Sequence, residues 1–370
     1  MRQPLALALT ASIVFTASAC GVKVSPTSGG AGSVILTATS IKPVQNLGLV
    51  AGLTAERILD GLNNPAGLAF ASDGRLAICS AGTGRENGNG IVQIWQDGSV
   101  GDYITAFPTE YWKVGKDGAP DRFKVGPLGA AWLDDGRLAV SNAGLGDGAE
   151  TILFFDGSGT AADGSASNSV GPTSDDAADK GEGNLTGFSV SPGGARIFVC
   201  GQGADAKTWV LTCDVEELEL ATFASADDHG IAINSPMQTL PWDDDTILVL
   251  YSGAGGVEDG LIVQWNADGT PKAQWTLPRL ADPMGMARIP GTSDLAVVDN
   301  NWNLERVQSG QLGRVSLAPG GGEARVKILA HALRGPVSCT FGPDGRLYVA
   351  QLGPEFDADK GNVVAISGIQ

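Results

Sequence analysis

The chain predicts an all-β fold: a six-bladed β-propeller with an N-terminal strand closing the last blade. Three observations lead there. A hairpin phrase, first met at residues 64–82 as NPAGLAFASDGRLAICSAG, occurs six times. Asp-Gly or Gly-Gly turns join its two strands in four of the copies. The last copy stops one strand short, and a matching strand precedes the first. Copies start 47 to 62 residues apart, the length of a four-stranded blade rather than of a helix pair or a leucine-rich repeat.

In order, the copies begin at Pro65, Pro127, Leu185, Pro236, Pro283 and Pro336. Each second strand begins eleven or twelve residues later, at Leu76, Leu138, Ile197, Ile247, Leu295 and Leu347. Asp73-Gly74, Asp135-Gly136, Gly193-Gly194 and Asp344-Gly345 supply the positive φ that a two-residue hairpin turn needs. The fourth copy has Asp244-Asp245 in that place and the fifth Gly291-Thr292-Ser293. Third strands are expected at 90–95, 151–155, 208–213, 260–265, 313–317 and 362–366, and fourth strands at 101–107 and 324–331. Residues 56–64 precede the first copy much as 326–335 precede the sixth, so they are expected to supply the missing outer strand. A ring closed in this way leaves no long unpaired edge.

With 370 residues the chain exceeds one minimal domain, but the repeat makes residues 53–370 one unit. Fifty-three glycines and 18% charged residues suit tight turns and strands buried on both faces, as do the apolar runs RLAICS and RIFVCG. A net charge of -17 argues against nucleic acid and anionic membrane surfaces. It leaves a neutral or cationic ligand, a metal ion, or simple solubility. Residues 1–19 have the form of a signal peptide: Arg2, an apolar run from Leu5 to Phe15 too short for a membrane span, then small residues. Ala17-Ser18-Ala19-Cys20-Gly21 resembles a lipobox, with Cys20 as the lipidated N-terminus and 20–52 as anchor and flexible linker. The expected location is exported, either membrane-anchored through that lipid or periplasmic or extracellular. Cys79, Cys200, Cys213 and Cys339 lack zinc spacing and read as buried free thiols. Cys200 is expected opposite Thr208, which leaves Cys213 out of register for a disulfide.

The connections between second and third strands, and the crossovers between blades, carry all the long inserts. These include 110–125, 161–182 and 221–235, and 161–182 reads as a loop throughout. Binding groups collect on such loops, so the site is expected at the central mouth of that face. Two rings surround it. Ala66, Leu128, Thr186, Met237, Met284 and Val337 form an apolar ring before the inner strands. Ser80, Asn142, Gly201, Tyr251, Asp299 and Gln351 form a mostly polar ring at the ends of the second strands. Two residues beyond this second ring, Gly recurs in every copy except the fifth, which has Asn301 within Asp299-Asn300-Asn301-Trp302-Asn303. Asp299 is a candidate metal ligand or catalytic carboxylate, Asn300 an orienting amide, and Trp302 a stacking surface. The plainer reading of Asn301 is an Asn that tolerates the left-handed conformation. Asn142 and His229, the latter beside Asp227 and Asp228, complete the catalytic candidates. Ser80, Tyr251, Asn300, Asn301, Trp302 and Gln351 are the ligand-binding candidates. Residues 357–362 have a fragment of calcium-loop spacing but no distal Glu. No nucleophile elbow, phosphate loop or dinucleotide fingerprint is present in the sequence.

Phrases such as GLNNPAGLAFASDGRLAICSAG and LRGPVSCTFGPDGRLYVAQLG resemble NHL-type propellers and their gluconolactonase-like and streptogramin-lyase-like relatives, and also the secreted scytonemin-associated propellers. The resemblance spans about residues 55–370 and rests on scaffold positions. It implies the six-bladed fold. In gluconolactonase-like enzymes it further implies a metal site of Glu, Asn and Asp just before inner strands, where this chain has only the apolar ring. The lyases have a His-Gly before an inner strand, and His229-Gly230 echoes it seven residues ahead of Pro236. Quinone-dependent sugar dehydrogenases of this shape require a His base and several Arg at the mouth. Two readings follow. The first is a monomeric binding module for a small molecule, glycan or protein at the central mouth, with no cofactor. The alternative is a metal-assisted hydrolase or lyase of lactonase type that needs Ca2+ or Mg2+.

Overall fold

In a computed structural model, the described residues are 37–370 except 45, 85–88, 112–123, 146–148, 158–165, 167, 172–184, 203–207, 233–234, 302–308 and 354–359. Six antiparallel sheets follow one another along the chain as blades. Blade 1 is built from Pro65–Phe70, Leu76–Ser80, Gly90–Gln96 and Ser99–Phe107. Blade 6 takes Pro336–Phe341, Leu347–Gln351 and Gly361–Ser367 from the C-terminus and Thr54–Leu62 from the N-terminal side. That closing strand pairs from Thr54 opposite Ser367 to Leu62 opposite Gly361, as expected.

The turns form for the reason the dipeptides suggest. Gly74, Gly136 and Gly345 take φ of +88°, +88° and +76°. In each of these copies an Arg follows the Gly, and the preceding Asp holds it twice. Asp73, Asp135 and Asp344 accept the backbone N–H of Arg75, Arg137 and Arg346, and bind their Nε atoms at 2.8, 2.7 and 2.6 Å. Arg75 also reaches the next blade, lying 4.5 Å from the Trp132 ring centre and donating to the Gly157 carbonyl. The turn motif therefore staples blades as well as reversing the chain.

Each of the six junctions between neighbouring blades holds a cluster of buried apolar side chains. Alternate side chains of one strand enter different clusters: Leu76 and Ile78 face blade 6, Ala77 and Cys79 face blade 2. This two-sided burial explains the apolar runs. All four described cysteines are buried and free. Cys200 stands opposite Val210 and Cys213 opposite Ile197, so the register differs by two residues from expectation, and still keeps the thiols apart.

Three stretches differ from the sequence reading. Asn168–Val170, inside the expected loop 161–182, is the outer strand of blade 2. Leu220–Ser225, at the start of the expected connector 221–235, is the outer strand of blade 3. Asn168–Val170 has three residues, and Leu220–Ser225 buries only Leu220, Ala224 and Ser225, so the apolar pattern of each is faint. The third is the stretch assigned to the flexible linker. From Thr37 it runs around the rim as an arm of three two-residue strands: Thr37–Ala38 on blade 1, Lys42–Pro43 on blade 6 and Gly48–Leu49 on blade 5. Val44, Leu47, Leu49, Val50 and Leu53 pack on the junction of blades 5 and 6.

Candidate functional site

Around the axis the inner strands come unusually close. In four copies a Gly stands two residues after the start of the repeat, at Gly67, Gly129, Gly187 and Gly285. A Cβ on Gly67 would lie 2.7 Å from the Leu128 carbonyl oxygen, and one on Gly285 would lie 2.9 Å from the Ser338 Cα. The missing side chains let neighbouring blades touch backbone to backbone. The ladder accommodates this with an irregularity just after the start of most inner strands, for example between Pro65 and Gly67 and between Pro283 and Gly285. In blade 2 the side chain of Ser141 adds to the backbone bonds, its Oγ accepting the N–H groups of Leu128 and Gly129 at 2.9 Å each while its own N–H donates to the Gly129 carbonyl.

The inner strands enclose an axial channel of about 360 Å3. The whole first ring lines it: Ala66, Leu128, Thr186, Met237, Met284 and Val337. Met237, Met284 and Leu352 are buried there and pack with Val337 as an apolar plug. Three of the chain's four methionines, Met237, Met284 and Met286, line the channel. Its only titratable lining groups among the described residues are Lys124, Arg288 and Cys339. Burial pushes the Cys339 thiol up to about 12, so it is no nucleophile at neutral pH. Asn64 also lines the channel. It is 1% exposed, its Nδ2 donates to the Gly82 carbonyl at 2.7 Å, and its Oδ1 has no partner among the described residues.

The second ring lies outside that lining, and Asp299 and Gln351 within it are engaged by the scaffold. Asp299 is fully buried and accepts the backbone N–H groups of Asp282 at 2.7 Å and Ala281 at 3.3 Å. Gln351 does the same one blade on, accepting from Arg334 N at 2.6 Å and donating to Asn362 Oδ1 at 3.0 Å. Both side chains thus pin the segment leading into an inner strand. Burial pushes the Asp299 carboxyl up to about 7 against the pull of those N–H groups, and the neighbouring Asp282 carboxylate adds to the rise. Asp282, which sequence reasoning missed, is itself fully buried and accepts from Gly256 N at 2.9 Å. Its place directly before Pro283 was the available signal.

Tyr251 is sealed between blades 3 and 4 with Cys200 and Trp265, and this burial raises its hydroxyl pKa. It faces a blade junction rather than the axis, because the side chains of its strand alternate between two junctions. Ser80 is buried with its Oγ unpartnered among the described residues. Asn142 makes one long contact, Nδ2 to Thr151 Oγ1 at 3.5 Å. Asn300 donates to the Pro336 carbonyl at 3.0 Å. Asn301 has φ +54°, in the left-handed region that Gly82 and Gly353 occupy in their copies, and donates to the Ser309 carbonyl at 2.7 Å. His229 ends a single 3-10 turn, Asp227–His229, is exposed, and packs edge-on to Trp265 with ring centres 5.5 Å apart. Neither it nor Asn142 nor Asp299 contributes to the channel lining, and Asn142 and Asp299 stand three blades apart. Trp302 and Cys20 lie outside the described residues, as do 357–359 of the stretch 357–362. Among the described residues no group of three or more His, Cys, Asp and Glu converges as a metal site.

No family model matches the chain, and no curated protein is similar to it. Solved structures share its architecture. A gluconolactonase from Xanthomonas campestris is 14% identical with a TM-score of 0.53, covering 90% of this chain and 97% of its own. A streptogramin B lyase is 12% identical with a TM-score of 0.50, covering 85% and 97%. The quinone (PQQ) domain of a pyranose dehydrogenase from Coprinopsis cinerea is 11% identical with a TM-score of 0.54, covering 88% and 98%. The resemblance read from the sequence therefore holds at the level of the scaffold.

Proposed function

We propose that this chain is an exported propeller, lipid-anchored through Cys20, that acts as a binding module and takes its ligand into the axial channel from the loop-rich face. The observation that carries this reading is the chemistry of the channel wall. The inner strands and their lead-in residues present Leu128, Met237, Met284 and Val337, joined by Leu352 from just past the end of a second strand, around a cavity of about 360 Å3, with no carboxylate or imidazole among the described lining residues. That volume lies within the usual small-molecule range of roughly 300–1,000 Å3. Flexible thioethers adapt to ligand shape. The free Oδ1 of Asn64 supplies one acceptor. The ligand is accordingly a mainly apolar small molecule carrying a hydrogen-bond donor.

A fluorescent apolar probe should bind the purified protein one to one, and Met284→Trp, which fills the channel, should weaken it at least tenfold. The alternative, a metal-assisted hydrolase or lyase, is favoured by the fold shared with a gluconolactonase and a streptogramin B lyase. Turnover of a lactone or ester panel that is abolished by chelator and by Asp299→Ala would overturn the binding reading in its favour.

A further inference from the structure

A second cavity lies away from the axis, where the N-terminal arm crosses the rim of blade 6. Lys42, Pro43 and Asn46 of the arm line it, together with Arg57 of the closing strand and Arg334 of the crossover from blade 5. Three cations thus meet in a chain with 41 acidic and 24 basic residues. Among the described residues one carboxylate answers them: Asp60, 3.1 Å from Arg57 and 3.8 Å from Lys42. Lys42 and Arg57 stand directly opposite each other in the ladder, an arrangement of like charges that weakens strand pairing. Arg57 Nε is buried without a hydrogen-bond partner. The Arg334 guanidinium forms no ion pair among the described residues, although its backbone N–H is held by Gln351.

An oxyanion would resolve all three features at once. It would take the unused donors of the two guanidiniums, whose planar forks suit phosphate oxygens, and it would relieve the Lys42–Arg57 repulsion. We propose that this niche binds a phosphate group, using Arg57, Arg334 and Lys42 as ligands and Asp60 as a competing internal anion. Its source is either a free phosphate or the phosphate of a lipid headgroup. The inference stands apart from the axial channel, and the failure of one leaves the other intact.

Calorimetric titration of the full chain with inorganic phosphate and with glycerol phosphate, at constant ionic strength, tests it. Saturable one-to-one binding is expected. Arg334→Gln, which keeps the backbone bond to Gln351, should weaken it at least tenfold. Asp60→Asn should tighten it severalfold, a gain that a folding defect cannot imitate. Vesicles of phosphatidylglycerol and phosphatidylcholine separate the sources. Retention on both that is lost in Arg334→Gln assigns a lipid phosphate, whereas binding of the soluble probes alone assigns a free one. No saturable heat beyond matched chloride, or equal affinity in the wild type, Arg334→Gln and Asp60→Asn, would overturn the proposal.

Discussion

Asp299 shows how one residue can look like chemistry in the sequence and serve architecture in the fold. Its carboxylate sits at the end of a second strand with both oxygens facing backbone N–H groups. Its folded-state pKa is about 7 against an ordinary 3.8. Between these values the folded state holds a proton that the unfolded state has released. The stability it contributes is therefore fully present below pH 3.8 and is lost as pH rises through 7, by roughly 4 kcal/mol over the window. Thermal melts of wild type and Asp299→Asn between pH 4 and 8 check this. The wild type should lose stability toward pH 8 relative to the variant, and the two should converge near pH 4. A parallel pH dependence in both would show that the carboxyl does not titrate in this range. The neighbouring Asn301 is read correctly by elementary conformational chemistry: the fifth copy needs a left-handed residue there, and Asn is the non-Gly type that tolerates it best.

At the scale of elements, the strands that were legible are those buried on both faces and bounded by Asp-Gly turns. The outer strands of blades 2 and 3 and the rim arm were not: the blade 2 strand and the strands of the arm have two or three residues and show no period, and the six residues of Leu220–Ser225 do not alternate cleanly. The second ring misled for a related reason. Polar residues at strand ends were read as facing the mouth, whereas Gln351 and Asp299 turn to the backbone of the adjoining lead-in segment. The four glycines behind the first ring were visible at constant spacing but are explained only by the contact between inner strands. Gly285→Ala would set a Cβ 2.9 Å from a backbone atom of blade 6, which cannot yield as a flexible side chain would. A loss of about 1–3 kcal/mol is expected in denaturant unfolding. Gly48→Ala, at a position without positive φ where the new Cβ would meet nothing nearer than the His331 Cβ at 3.6 Å, should change stability far less. The arm should be the first element to open. In hydrogen exchange, the Val50 amide, which binds the Leu329 carbonyl just after a two-residue strand, should exchange well before the Val363 amide of the closing sheet. Equal protection would make the arm an integral strand.

For the molecule as a whole, each blade is stabilised by the two junctions it shares with its neighbours, so no blade has a core of its own. Closure then determines how a local defect is felt. Ile58, in the closing strand, is fully buried at the junction of blades 6 and 1, while Ile262 is fully buried at the junction of blades 4 and 5, a third of the ring away. If the closing strand is a true member of the ring, removing either side chain weakens a junction on which the entire circle depends. Ile58→Ala and Ile262→Ala should each lower stability by roughly 2–5 kcal/mol, and each should still unfold in a single transition. If the closing strand instead behaves as a detachable flap, Ile58→Ala will leave the main unfolding midpoint where it was. It will show itself as faster exchange confined to the amides of Gly361–Ser367 and their partners in Thr54–Leu62. Denaturant melts followed by both fluorescence and circular dichroism, with exchange measured on the same two variants, separate these outcomes. The pairing of the closing strand along its whole length from Thr54 to Leu62, despite two register shifts, and the burial of Ile58 point to the first.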